Sequence, residues 1–232
     1  MPVDASIVGT TGTNTGASVT TGAGAVTAGD TLVFCFCYDP SRTISSATLS
    51  GSGSDTLTQI ANLTTGNGRL AVYVKENATG GASVTATATL SGAAFPTATL
   101  IKCTGAATAS YDSASLVTGT DSATPYTITS GTFAQANNVV IACIAQNTGP
   151  TGNYASSNFT IIGGTGDVDN FWTHSIAKLV VSATTAVTPS FTRTNSTNSA
   201  SNMVVFGVKE AAAGGGFIVN PLTGRLAQPL IN

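Results

Sequence analysis

The segment GASVTATATL, residues 81–90, alternates apolar and hydroxyl-bearing side chains, with apolar residues at every second position from Val84 to Leu90. Because successive side chains of a strand point to opposite faces, this spacing predicts a strand with one face on a core and the other in water. The segment TLVFCFCY, residues 31–38, is apolar on both faces, so we expect a central strand that is covered on both sides. Together the two patterns predict an all-β, antiparallel β-sandwich.

The composition of the 232-residue chain agrees with an all-β fold. Charged residues make up 8% of it, against about 25% in typical domains. Threonine and valine favour strands, whereas glycine, serine and asparagine favour turns. The net charge is −2 and the eight basic residues are scattered, so we expect no nucleic-acid partner. No apolar run approaches the roughly 20 residues of a membrane helix, so we expect no membrane partner either.

The sequence contains two similar halves. AGDTLVFCFCYD at residues 28–39 corresponds to ANNVVIACIAQN at residues 136–147. This and further matches predict a β-sandwich domain at residues 1–210, built from internal repeats at about 5–106 and 114–210. The repeats could form two tandem sandwiches or one sandwich in which their strands interleave. Because no linker-like segment separates them, we favour the interleaved arrangement.

The four cysteines, Cys35, Cys37, Cys103 and Cys143, all lie within apolar runs. This placement predicts buried free thiols that act as small apolar side chains. A zinc site favours cysteine pairs of the type Cys-x2-Cys, with two residues between the cysteines, and that spacing is missing, so we expect no metal and no cofactor. One disulfide between neighbouring strands is the alternative.

Residues 211–232 read as a glycine-rich linker followed by an extended tail. Prolines at positions 221 and 229 exclude a long helix there. So many apolar residues in a short segment favour binding to a neighbouring copy, in a trimer or a lattice, or to another protein. The alternative is a tail that folds back on its own domain. The predicted partner-binding residues are Phe217, Ile218, Val219, Pro221, Leu222, Arg225, Leu226, Leu230 and Ile231.

One polar segment, GTGDVDNFWTH at residues 164–174, is a candidate ligand loop. Its candidate residues are Asp167, Asp169, Asn170, Trp172 and His174. The tryptophan would stack on a sugar ring, and the carboxylates would accept hydrogen bonds or bind calcium. The second interpretation, which we favour, is a long hairpin loop in which Trp172 closes the edge of the sandwich and His174 lies at the surface.

The chain lacks the residue patterns of common enzymes. It has a single histidine, His174, and two glutamates, Glu76 and Glu210, and contains no Gly-x-Ser-x-Gly motif. A catalytic triad or a pair of glycosidase carboxylates therefore has little support. We expect that the protein is not an enzyme.

The repeated pattern resembles a concanavalin-like jelly-roll domain that is widespread in bacteriophage and bacterial surface proteins. The matching residues are Gly29-Asp30, Leu57-Thr58, Arg69 to Tyr73, and Ala136-Asn137 to Ile144. The resemblance covers about residues 5–210 and contains no catalytic motif. The segment NPLTGRL, at residues 220–226, is similar to segments of phage structural proteins.

Together the two resemblances imply a virion component, such as a capsid decoration protein or a head or tail fibre protein. Its partners would be copies of itself and other virion proteins such as the major capsid protein. The N-terminal stretch has no basic start and no apolar segment, so we expect no signal peptide and synthesis in the host cytoplasm. The alternative function is a carbohydrate-binding adhesin module that recognises a host-surface glycan.

Overall fold

A computed structural model describes residues 2–65, 68–147, 154–165, 172–193 and 200–212. The first half of the chain contains ten strands: β1 (Asp4–Ile7), β2 (Gly12–Thr13), β3 (Ser18–Thr20), β4 (Gly24–Val26), β5 (Thr31–Tyr38), β6 (Ile44–Ser50), β7 (Thr58–Leu63), β8 (Arg69–Lys75), β9 (Gly81–Leu90) and β10 (Thr97–Thr104). The second half contributes β11 (Ala106–Asp121), β12 (Tyr126–Thr127), β13 (Asn138–Asn147), β14 (Tyr154–Ser156), β15 (Thr160–Thr165), β16 (Trp172–Val181), β17 (Ser190–Arg193) and β18 (Ser201–Glu210). Among the described residues there is no helix, which confirms the all-β prediction.

Each half forms one large central sheet and one smaller outer sheet. The central sheet of the first half has the order β1-β10-β5-β8-β7, with β2 also paired to β10. The central sheet of the second half has the order β11-β18-β13-β16-β15. The outer sheets are β3, β4 and β6 around β9 in the first half, and β12-β17-β14 in the second. Neighbouring strands are antiparallel, so this part of the prediction is also confirmed.

The two strands that led to the prediction behave as their patterns require. In β9 the residues from Val84 to Leu90 alternate between buried apolar and partly exposed threonine positions. In β5 every residue is buried, and the strand lies in the middle of its sheet. Its counterpart β13 has the same central position in the second half.

The expected interleaving of the two halves is wrong for the described strands. Each strand pairing that the structure describes joins strands of the same half. The reason is that the last strand of each half pairs on both edges with strands of the same half. β10 lies between β1 and β5, and β18 lies between β11 and β13. The halves meet through side chains rather than through backbone pairing.

Three apolar cores separate the four sheets. One core lies between the two sheets of the first half and another between the two sheets of the second. The third, which we call the shared core, lies between the two central sheets and includes Val33 of β5, Ile141 of β13 and Phe206 of β18. Both central sheets are therefore covered on both faces, which explains why β5 and β13 lack a polar face.

The described residues contain no helix that could span a membrane.

All four cysteines are buried and free, as the sequence predicted. Each of them lies in the shared core.

Candidate functional site

The structure describes two of the five candidate residues of the predicted ligand loop. Trp172 and His174 lie on β16, whereas Asp167, Asp169 and Asn170 fall outside the described residues. Trp172 is only 5% exposed and packs in the shared core, so its ring cannot act as a sugar-stacking surface. This burial agrees with the second interpretation, in which Trp172 closes the sandwich.

The expectation that His174 lies at the surface is wrong, since the residue is 1% exposed. Its two ring nitrogens face two threonines of the first half: Nδ1 is 2.6 Å from Thr97 Oγ1 and Nε2 is 2.9 Å from Thr99 Oγ1. Thr99 Oγ1 lies in turn 2.9 Å from Thr11 Oγ1. A neutral imidazole has one donor and one acceptor, and a hydroxyl can serve either, so this cluster satisfies the buried ring.

Burial lowers the pKa of His174 to about 4, because the charged imidazolium would lose its hydration. The ring is therefore neutral at pH 7, with both nitrogens engaged. Its role in this position is to join the halves. The signal that sequence reasoning missed is the pair of threonines two residues apart, Thr97 and Thr99, at the start of strand β10.

Further polar contacts connect the halves around the shared core. Thr31 Oγ1 lies 2.5 Å from Ser110 Oγ. Lys178 Nζ donates to Asp4 Oδ1 at 2.6 Å and to the Ala5 carbonyl at 2.7 Å. These contacts fix the relative position of the two central sheets at several points.

A cleft of about 470 Å³ opens where the edge strand β7 meets the first part of β11. We call it the interhalf cleft, because it is lined by Tyr111 of the second half and by seven residues of the first. The seven are Thr56, Thr58, Gln59, Ile60, Val74, Lys75 and Glu76. The Glu76 carboxylate accepts the backbone N–H of Tyr111 at 2.6 Å, so one hydrogen bond spans the cleft. The Tyr111 ring meets the buried Phe206 edge to face, with 5.8 Å between the ring centroids.

The charges beside the cleft are largely balanced. Lys75 Nζ is 3.3 Å from Asp55 Oδ1, and Asp55 also accepts the Thr79 N–H at 2.8 Å. Burial acts to raise the pKa of Asp55, but the hydrogen bonds from Thr79 and Lys75 outweigh it and hold that pKa below its usual value. Gln59 Oε1 accepts a hydrogen bond from the Tyr73 hydroxyl at 2.7 Å. These contacts fix the orientation of the Asp55, Lys75 and Gln59 side chains beside the cleft.

The last described strand, β18, pairs with β11. After β18 ends at Glu210, the N–H of Ala211 donates to the Gly105 carbonyl at 2.8 Å. The predicted partner-binding residues, which lie between positions 217 and 231, all fall outside the described residues.

Within the described part of the chain, no group of three or more His, Cys, Asp or Glu side chains could hold a metal ion. Searches with the chain against models of protein families, against curated proteins and against solved structures find no match.

Proposed function

We propose that this protein is a non-enzymatic structural component of a bacteriophage virion, such as a capsid decoration protein or a head or tail fibre component. Its double sandwich would be the rigid body. Its C-terminal segment would attach that body to other copies of the chain and to virion proteins such as the major capsid protein.

The distribution of apolar side chains is the observation that carries this proposal. Among the described residues only three large apolar side chains are more than a third exposed, namely Phe95, Ile161 and Val180. The segment 217–232, by contrast, has seven large aliphatic or aromatic residues in sixteen positions. Burying each would be worth roughly 1.5–3 kcal/mol, which favours association through this segment.

The chemistry of the body supports a structural role over a catalytic one. The single histidine is buried and neutral, with both nitrogens in hydrogen bonds, so it is poorly placed to transfer protons. The assignment to a phage particle rests on the resemblance of residues 5–210 to the jelly-roll domains and of NPLTGRL to phage structural proteins.

Sedimentation velocity of the full chain over a range of concentrations tests this proposal. We expect the unmodified chain to self-associate and a Leu222→Asp/Leu226→Asp variant to stay monomeric. The matched control, Thr223→Asp/Gln228→Asp, adds the same charge to the same segment without removing apolar surface and should still associate. A monomeric unmodified chain, or undiminished association of the leucine variant, would contradict the proposal.

A further inference from the structure

We propose that the interhalf cleft binds a neutral oligosaccharide. None of the residues that line the cleft belongs to the C-terminal segment or to the predicted loop at residues 167–174. The cleft volume of about 470 Å³ falls in the range of roughly 300–1,000 Å³ that small-molecule sites occupy. It can therefore take a short chain of sugar rings.

Uncommitted hydrogen-bonding groups line the cleft on the β7 side. Within the part of the chain that the structure describes, the exposed Thr56 and Thr58 hydroxyls have no side-chain hydrogen bond. Gln59 uses its oxygen for Tyr73, which leaves its amide nitrogen free to donate. These groups offer both donors and acceptors to a ligand whose hydroxyls need both.

The other side of the cleft supplies apolar surface and an acceptor. Tyr111 is half-buried, and its packing against Phe206 holds the ring in one orientation. Glu76 binds the Tyr111 N–H through Oε1, so its second oxygen remains available as an acceptor. A sugar ring has an apolar C–H face and a polar edge, and it matches an aromatic wall next to polar groups.

The charge of the cleft selects against anionic ligands. Lys75 is paired with Asp55, and Glu76 adds a further negative charge, so no positive group among the described lining residues is left uncompensated. A phosphate or sulfate group would meet net repulsion there. A neutral ligand meets no such penalty, and the preset hydrogen bonds of Glu76 and Asp55 lower the cost of ordering the walls on binding.

A glycan array tests this inference with the full-length protein. The array carries neutral oligosaccharides of glucose, galactose, mannose and N-acetylglucosamine, together with sulfated and sialylated forms. We expect binding to at least one neutral oligosaccharide, with the affinity then measured by calorimetry. Gln59→Glu keeps the acceptor for Tyr73 but removes the free donor, and we expect it to weaken binding by roughly tenfold.

A second variant and a matched control separate binding from folding. Thr58→Val removes an exposed hydroxyl from the cleft and should also weaken binding. Thr48→Val makes the same change at an exposed position of β6, on the outer sheet, and should leave the affinity unchanged. The Leu222→Asp/Leu226→Asp variant should bind sugar normally, so failure of the tail proposal and failure of this one are distinguishable.

Three results would overturn the inference. One is the absence of binding to every neutral oligosaccharide. Another is a bound sugar whose affinity neither Gln59→Glu nor Thr58→Val alters. The third is a preference for the sulfated or sialylated forms over their neutral counterparts.

Discussion

The two faces of the central strand β5 are built from different side chains. On β5, Phe34, Phe36 and Tyr38 point into the outer core of the first half, whereas Cys35 and Cys37 point into the shared core. The rings on the outer face form a row of tilted pairs, with 5.1 Å between the centroids of Phe34 and Phe36 and 5.6 Å between those of Phe36 and Tyr38. On β5, aromatic rings thus fill the core within the half, whereas the smaller cysteine side chains face the shared core.

The shared core also differs from the outer core in polarity. At one end of it, Thr97 and Thr99 of β10 bond to the buried His174 of β16. Polar contacts of this kind depend on geometry, whereas apolar packing tolerates small shifts. We infer that apolar packing within each outer core stabilises its half, and that the polar cluster fixes how the halves are aligned.

The largest expected effect on stability comes from removing an aromatic ring from the outer core of the first half, which lies between its two sheets. Phe36 is fully buried and contacts Phe34, Tyr38 and Tyr73, so Phe36→Ala should leave a cavity. We expect a loss of about 3–5 kcal/mol in the free energy of unfolding, measured by urea denaturation. Val180→Ala, at a position 53% exposed, is the control and should cost under about 1 kcal/mol. Equal losses for both variants would refute the assigned role of the outer core.

The second largest effect is a dependence of stability on pH, which arises from His174 at the polar end of the shared core. The pKa of His174 is about 4 in the fold, below the value of roughly 6.5 expected in the unfolded chain, so the unfolded state takes up the proton first. The contribution of His174 is fully present above pH 6.5 and is lost as the pH falls towards 4. The loss should reach about 3 kcal/mol across this window.

Two measurements isolate this contribution from that of the carboxylates. An NMR titration of the imidazole should show His174 neutral until the pH approaches 4. Denaturation of His174→Gln from pH 7 to pH 4 should show a weaker pH dependence than the unmodified protein. An imidazole that titrates near 6.5 in the folded protein would disprove the buried, bridging position.

A smaller effect should follow from removing one hydroxyl of the same cluster. Thr99→Val keeps the shape of the side chain but leaves His174 Nε2 without its partner in the first half. An unsatisfied buried nitrogen costs about 1–3 kcal/mol, which urea denaturation can resolve. Thr48→Val, on the water-exposed outer strand β6, should change stability by no more than about 0.5 kcal/mol. A Thr99→Val protein as stable as the unmodified one would show that the cluster does not hold the halves together.

The sequence predicted the strands well because their patterns depend on local burial. The alternation around Val84 and the apolar run of β5 each report which faces are covered, and both were interpreted correctly. The arrangement of the halves was not predictable in the same way. A strand covered on both faces has the same pattern whether its neighbours come from its own half or from the other.

The burial of His174 was missed for a related reason. Polar residues in a turn-rich segment usually lie at the surface, and the sequence around His174 contains several aspartates and glycines. What overrides this expectation is a partner far away in sequence, the threonine pair on β10, 77 and 75 residues earlier. The interhalf cleft was missed as well, because Gln59 and Tyr111 come together only when the halves pack.

The smallest expected signal belongs to the thiols of the shared core. Burial raises the pKa of the Cys35 thiol well above its usual value, and the neighbouring Cys143 raises it further. Thiols that are closed off from solvent react slowly, so iodoacetamide at pH 8 should label none of the four buried cysteines in the native protein. Mass spectrometry after labelling in urea should show all four modified. Rapid native labelling would mean that the central sheets separate in solution. The shared core would then be accessible to reagents, like the open interhalf cleft beside it.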